Sequence, residues 1–134
     1  MSIEEVNRLL RRAQKFKEDA TRSFEEGYYD FTCFYAEQAI QLRLKAFVLR
    51  YLGFIPRTHS IRDLLSYVYK YTNNEQIREY VEGKRKLISD LERSYTDARY
   101  GDIDYDKNDG NECLNILNEI FSLLENEESR RNIH

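Results

Sequence analysis

The chain has 134 residues, enough for one ordinary domain with a single hydrophobic core and too few for a second domain. With 41% hydrophobic residues, 34% charged residues, one proline and five glycines, the composition argues against a disordered or turn-rich β protein and favours an all-α fold. The net charge of −3 supplies no global positive field, which disfavours a dedicated nucleic-acid binder.

The first predicted helix runs to about residue 26, where Gly27 is placed to end it. Its apolar side chains recur at steps of three and four: Ile3, Val6, Leu9, Leu10, Ala13, Phe16, Ala20 and Phe24. The opposite face carries a basic stripe of Arg8, Arg11, Arg12, Lys15 and Arg22. Because Glu18 and Asp19 lie near the stripe, we interpret it as a solvated face with ion pairs rather than a phosphate-binding surface.

The N-terminal stretch interrupts its apolar residues with Glu4, Glu5 and Arg8, so it has no run of signal-peptide type. No segment approaches the ~18 apolar residues of a membrane helix. We therefore expect no membrane partner and, in the absence of any targeting signal, a cytoplasmic protein.

The second predicted helix begins after Asp30 as its cap and runs to about Leu52, ending at Gly53. At ~100° per residue, it has apolar side chains on two faces. One face carries Phe31, Phe34, Tyr35, Leu42, Ala46 and Leu49, and the other carries Ala36, Ile40, Leu44 and Phe47. Such a helix is either central to the bundle or shared with an oligomer interface, and we expect a homodimer.

Two polar residues of this helix, Gln38 and Lys45, fall inside its strongest apolar face. A polar group there costs stability unless it is hydrogen-bonded. Either the two side chains join a structural network with a neighbouring helix, or they line a pocket that binds a nucleotide or phosphate. Both interpretations stay open on the sequence.

A third helix is predicted to begin with Ser60 and Asp63, which resemble a capping box, and to break at residues 72 to 74. His59 precedes this cap, and a histidine there is more often an anchor than a catalyst. A fourth helix spans about residues 77 to 100, and a fifth carries Cys113 to Leu124. We predict one up-and-down bundle of about five helices over residues 1–128, followed by a frayed polar tail, 129–134.

The acidic loop between the last two helices has aspartates in alternation, as at the start of a calcium-binding EF-hand. The register fails, because the sixth place from Asp102 is Lys107 rather than glycine and the twelfth is Cys113 rather than glutamate. Helix-capping carboxylates are the favoured interpretation. Cys33 and Cys113 are too few for a disulfide scaffold and lack metal-ligand spacing, so we expect two buried thiols in a reducing compartment and no metal site.

Several short runs follow one another in a characteristic order between about residues 5 and 125. They are Gly27-Tyr28-Tyr29-Asp30, Phe34, Ala36-Glu37-Gln38-Ala39, Leu42, Lys45-Ala46, Gly53, Pro56, Thr58-His59-Ser60, Leu64-Leu65, Leu91, Tyr95 and Ala98-Arg99-Tyr100. In this order and spacing the chain resembles the HEPN domain family.

The resemblance implies a five-helix bundle, often a homodimer, that acts beside a minimal nucleotidyltransferase in a two-component, toxin–antitoxin-like pair. The chain would be the non-catalytic, nucleotide- or substrate-binding partner, with ATP or another nucleotide as ligand and no cofactor of its own. The catalytic metal would belong to the nucleotidyltransferase. The candidate binding residues are Gln38, Lys45, His59, Tyr95 and Arg99.

Family members that cleave RNA are known to need an arginine and a histidine with four to six residues between them. Arg99 has the location of that arginine, but the positions where the histidine would follow are Asp104, Tyr105 and Asp106. Neither residue type replaces a histidine well as acid or base near neutral pH, because Asp is ionised and Tyr titrates near ~10. We therefore predict no catalytic residue.

Two alternatives stay open. The chain could be a degenerate, metal-independent ribonuclease in which Arg99 holds the phosphate and Tyr105 replaces the histidine, and RNA would be a partner only in that case. It could also be a scaffold that binds no nucleotide. A scaffold predicts that Gln38 and Lys45 are fully bonded internally, with no cleft beside them.

Overall fold

The computed structural model describes residues 3–132, which fold into six packed helices with no strand among them. The helices are α1 (Ile3–Glu25), α2 (Tyr29–Leu52), α3 (Ile61–Thr72), α4 (Glu75–Gly83), α5 (Arg85–Tyr100) and α6 (Lys107–Asn132). The predicted all-α fold is confirmed, with six helices in place of about five. The remaining histidine, His134, lies outside the described residues.

Glycines end the first two helices where the sequence places them. Gly27 and Gly53 have φ of 84° and 89°, in the left-handed region that L side chains rarely adopt. After α1, the amide of Gly27 donates to the carbonyl of Phe24 at 3.1 Å and the amide of Tyr28 donates to that of Ser23 at 2.9 Å. These bonds satisfy carbonyls that the helix end leaves unpaired.

The start of α2 differs from the prediction. Tyr29 is already helical and Tyr28 occupies the cap position without a side-chain hydrogen bond. Asp30 lies inside the first turn, where its Oδ1 accepts a hydrogen bond from the amide of Phe31 at 2.8 Å. Its negative charge still interacts favourably with the positive end of the helix dipole, so the carboxylate stabilises the helix start without capping it.

Helix α2 is the centre of the bundle and packs against α1, α3, α5 and α6. The face that carries Ala36, Ile40, Leu44 and Phe47 is fully buried. The other apolar face is covered less evenly, since Phe31 remains 38% exposed near its N-terminal end. The "central helix" interpretation of the two apolar faces is therefore correct for this chain on its own.

Helix α3 begins as predicted, because the Ser60 hydroxyl accepts a hydrogen bond from the amide of Asp63 at 3.3 Å. The single helix predicted over residues 77 to 100 is two helices, α4 and α5. They meet at Lys84, whose φ of −113° and ψ of 15° leave the helical region. Since the carbonyl hydrogen bonds continue across this kink, the apolar spacing of the sequence gives no sign of it.

The last residue of the acidic loop, Asp106, caps the N-terminal end of α6. The amide of Asp106 donates to Asp109 Oδ2 and the amide of Asp109 donates to Asp106 Oδ1, both at 2.9 Å. This reciprocal pair confirms the capping interpretation for Asp106. Among residues 3–132, no group of three or more histidine, cysteine, aspartate or glutamate side chains is arranged to hold a metal.

The C-terminal end of α6 corrects the predicted frayed tail. Helix α6 continues to Asn132, so residues 129–132 are helical. Glu127, only 2% exposed, accepts a hydrogen bond from Asn74 and pairs with Arg130 and Arg131 at 3.5 and 3.3 Å. Arg131 also stacks on the ring of Tyr71, 4.8 Å from its centroid. These contacts bind the last helical turn to the rest of the bundle.

The two cysteines correct the prediction of free thiols. Cys33 on α2 and Cys113 on α6 form a disulfide, with Cα atoms 5.2 Å apart. They are separated by 80 positions in the sequence, and only the packing of α2 against α6 brings them together. The inference of a reducing compartment depended on free thiols and loses its basis.

No helix formed by residues 3–132 combines the length and hydropathy that a bilayer span requires.

Candidate functional site

A cavity of about 600 Å³ opens between α2, the N-terminal end of α3 and the second half of α5. Four of the five predicted binding residues line it, namely Gln38, Lys45, His59 and Tyr95. The helical repeat explains the contribution of α2, because residues spaced by three, four and seven positions share one face. The scaffold alternative predicted no cleft at this place, and the structure has one.

Glu37 is the buried carboxyl at the floor of this cavity, with only 2% of its surface exposed. Its Oε1 accepts a hydrogen bond from Gln38 Nε2 at 2.8 Å, and its Oε2 accepts one from Gln41 Nε2. Burial raises the pKa of Glu37, while the two amide hydrogen bonds oppose that rise. Gln38 thus has the partner that its position on an apolar face demands.

Lys45 and His59 meet at the far side of the cavity. Lys45 Nζ lies 3.4 Å from His59 Nδ1, and the same Nδ1 lies 3.2 Å from Gln41 Oε1. Burial lowers the pKa of Lys45, and the charge of Glu37 opposes that change. The histidine is not the cap of α3, because Ser60 has that role; its exposed ring is held over the cavity by side chains of α2.

Helix α5 supplies an aromatic wall. Tyr95 lines the cavity and contacts the ring of Phe34 at a centroid distance of 5.8 Å. Arg99, one turn later, does not line the cavity, but its guanidinium stacks on the Tyr95 ring at 4.4 Å and on that of Tyr100 at 5.0 Å. The fifth predicted residue is therefore adjacent to the site, with its charge held at the rim by two aromatic rings.

Glu92 is a second carboxyl in the cavity that the sequence analysis missed. Burial raises its pKa, and a hydrogen bond from the backbone of Ile61 opposes the rise. A raised pKa reduces the ionised fraction at a given pH, so Glu37 and Glu92 repel an anionic ligand less than two exposed carboxylates would. The one sequence signal that could have revealed Glu37 is its place between Ala36 and Gln38, on a stretch of α2 where most neighbours are apolar.

Tyr105 lies apart from this cavity. Its hydroxyl donates to Asp97 Oδ2 at 2.9 Å, and it lines a smaller cavity of about 140 Å³ beside the disulfide. Burial and the Asp97 carboxylate both raise its pKa, which makes it a still poorer acid or base near neutral pH. Arg99 and Tyr105 point to different neighbours, so the structure does not favour the degenerate ribonuclease.

The basic stripe of α1 is exposed, and part of it forms the expected ion pairs. Asp19 Oδ1 lies 3.2 Å from both Lys15 Nζ and Arg22 Nη1. This supports the solvated-face interpretation over a phosphate-binding one for that part of the stripe.

The comparison with known proteins gives one family. The sequence profile of the HEPN domain matches residues 6–127, which is most of the chain. This chain is a HEPN domain protein. Its structure is similar to the crystal structure of ST0689, an archaeal HEPN homologue, with a TM-score of 0.66 and 25% sequence identity over 91% of this chain and 96% of that one. Among curated proteins, none has significant sequence similarity to it.

Proposed function

We propose that this HEPN protein is the nucleotide-binding partner of a minimal nucleotidyltransferase. The observation that supports the proposal is the convergence of Gln38, Lys45, His59 and Tyr95, from three separate segments, on one cavity of about 600 Å³. That volume is within the range of pockets that enclose small ligands. Helix periodicity singled out Gln38 and Lys45, the family resemblance added His59 and Tyr95, and all four side chains line this one cavity.

The chemistry of the cavity suits the parts of a nucleotide. The ammonium of Lys45 can bind a phosphate, and the guanidinium of Arg99 is a second positive charge at the rim of the cavity. The exposed ring of Tyr95 gives a flat surface on which a base can stack. The side-chain amide of Gln38 also lines the cavity and can form a hydrogen bond with the edge of a base. In this arrangement the HEPN chain binds and orients, and the nucleotidyltransferase supplies the catalytic metal.

The direct test is calorimetric titration of the purified protein with ATP. Lys45→Met should weaken binding by about 10- to 150-fold, because a hydrogen bond to a charged group contributes roughly 1.5–3 kcal/mol. Lys70→Met is the matched control, since it removes the same charge from an exposed position on α3 outside the cavity and should leave the affinity unchanged. Absence of ATP binding by the wild type, alone and with its partner, would refute the proposal.

The partner is tested separately. A nucleotidyltransferase encoded beside this gene should co-purify with the chain when the two are expressed together. If an adjacent nucleotidyltransferase exists and does not bind the chain, the two-component part of the proposal is wrong, whatever the affinity for ATP.

We also propose that the protein forms a homodimer through the exposed half of the second apolar face of α2. Phe31, 38% exposed, contacts Tyr35, which contacts Phe34, and Phe34 contacts Tyr95, so the aromatic surface is continuous. In light scattering, Phe31→Glu should give a monomer. Phe54→Glu, which changes an equally exposed phenylalanine in the loop after α2, should keep the dimer. A monomeric wild type would contradict the proposal.

A further inference from the structure

Three side chains form a chain of contacts from the floor of the cavity to its mouth. Gln41 Nε2 donates to the buried carboxyl of Glu37, and Gln41 Oε1 lies 3.2 Å from Nδ1 of His59. The glutamine therefore connects a carboxyl on the floor to the imidazole at the mouth.

The carboxyl decides which way the Gln41 amide faces. An ionised carboxylate only accepts hydrogen bonds, so the NH₂ group of Gln41 must be the end directed at Glu37. Gln38 donates to the other oxygen of Glu37 and so holds the carboxylate plane in place. The carbonyl oxygen of Gln41 is then the atom that meets His59, and a carbonyl oxygen needs a donor.

Lys45 competes for the same ring nitrogen. Its ammonium, 3.4 Å from Nδ1, could donate to that nitrogen only if Nδ1 carried no proton. The Gln41 oxygen would then face a lone pair at 3.2 Å, with its amide unable to turn away from Glu37. Lys45 has four rotatable bonds and can direct its ammonium to Glu37 or to a ligand instead, so its contact with Nδ1 is the weaker constraint.

We propose that Glu37 and Gln41 are positioning residues that hold His59 in the tautomer with its proton on Nδ1, which leaves Nε2 as a hydrogen-bond acceptor at the mouth of the cavity. Among residues 3–132, no group forms a hydrogen bond with Nε2, so that atom can accept one from a ligand. Catalytic and metal-binding histidines are fixed in one tautomer in the same way, because the hydrogen bond made by one ring nitrogen determines the protonation of the other.

The tautomer determines which group of a ligand His59 can bind, and this consequence rests on the proposed function. An unprotonated Nε2 accepts a hydrogen bond from a hydroxyl or an amino group and does not bond to a phosphate oxygen. With a bound nucleotide, His59 would therefore accept a hydrogen bond from a ribose hydroxyl or an exocyclic amine. Lys45 and Arg99 would bind the phosphates.

The test is nitrogen-15 NMR of the two imidazole nitrogens in the free protein at about pH 8, above the ordinary histidine pKa of ~6.5. His134→Asn leaves His59 as the only histidine, so the signals need no further assignment. We expect the protonated-nitrogen signal at Nδ1 and the unprotonated signal at Nε2. A proton on Nε2 in the wild-type ring would overturn the proposal and identify Lys45 as the partner of Nδ1.

Two variants separate positioning from a general disturbance of the cavity. Gln41→Met keeps the length of the side chain but removes its carbonyl, and the Nδ1-protonated signature should be lost. Gln38→Met removes the other amide from Glu37, and Gln38 forms no hydrogen bond with His59, so the signature should remain. An unchanged tautomer in Gln41→Met would refute the role of Gln41. Because no ATP is present, failure here is distinct from failure of the calorimetric test.

Discussion

Reduction of the Cys33–Cys113 disulfide should destabilise the protein strongly. The bond closes a loop across 80 positions of the sequence. Loop-closure entropy for a loop of that length corresponds to about 4.5 kcal/mol at 25 °C. For a chain of 134 residues, with an unfolding entropy of ~2.1 cal/mol/K per residue near 60 °C, that free energy lowers Tm by roughly 15 °C.

The assay is thermal unfolding followed by circular dichroism, with and without a strong thiol reductant. The double variant Cys33→Ala with Cys113→Ala is the control, because it cannot form the bond and its Tm should not respond to the reductant. Equal Tm values for the oxidised and reduced wild type would show that the crosslink does not constrain the unfolded chain, and the entropic reasoning would be refuted.

Three further substitutions have definite expected effects. Glu128→Ala leaves the buried Arg43 without its ion-pair partner and should cost about 3–5 kcal/mol in urea unfolding, whereas the exposed Glu125→Ala should stay within ~0.5 kcal/mol. Gly53→Ala places a side chain at φ 89° and should cost about 1–2 kcal/mol by the same measurement; no loss of stability would contradict the left-handed helix end. Because the folded-state pKa of Glu37 is raised, its contribution favours folding below the unfolded-state pKa and is lost as the pH rises through the folded-state value. Glu37→Gln should therefore gain stability relative to wild type as the pH rises from 4, and a difference that is constant or falls with pH would refute the burial argument.

Much of the cavity could be predicted from the sequence, for two different reasons. Gln38 and Lys45 were found by physical reasoning, because the angle of each residue on α2 placed a polar group among apolar neighbours. His59 and Tyr95 were found only through the resemblance to the HEPN family. They come from other segments, and the periodicity of one helix says nothing about what a neighbouring helix places against it.

Two of the features that the sequence does not reveal depend on tertiary packing, and a third is a local break in the backbone. Gln41 reads as an ordinary polar residue until His59 is brought to its carbonyl oxygen. The disulfide joins cysteines whose spacing carries no signal, because it forms only where α2 crosses α6. The kink at Lys84 interrupts the helix axis without interrupting the apolar spacing, so the pattern of one long helix survives in the sequence.

The end of α6 was missed because two of its stabilising contacts come from residues that are distant in the sequence. Residues 129–132 are polar and close to the terminus, which is typical of a frayed tail. Glu127 pairs with Arg130 and Arg131 at helical spacing, which the local sequence permits. The stacking of Arg131 on the ring of Tyr71 and the hydrogen bond from Asn74 to Glu127 cannot be read from it.

The central claim is that the cavity between α2, α3 and α5 binds a nucleotide, and the most direct measurement is to map ATP on the protein by amide chemical-shift perturbation. We predict that the largest shifts fall at Gln38, Lys45, Ser60 and Thr96, which surround the cavity. Shifts confined to the basic stripe of α1, or no saturable shifts at millimolar ATP, would contradict the account.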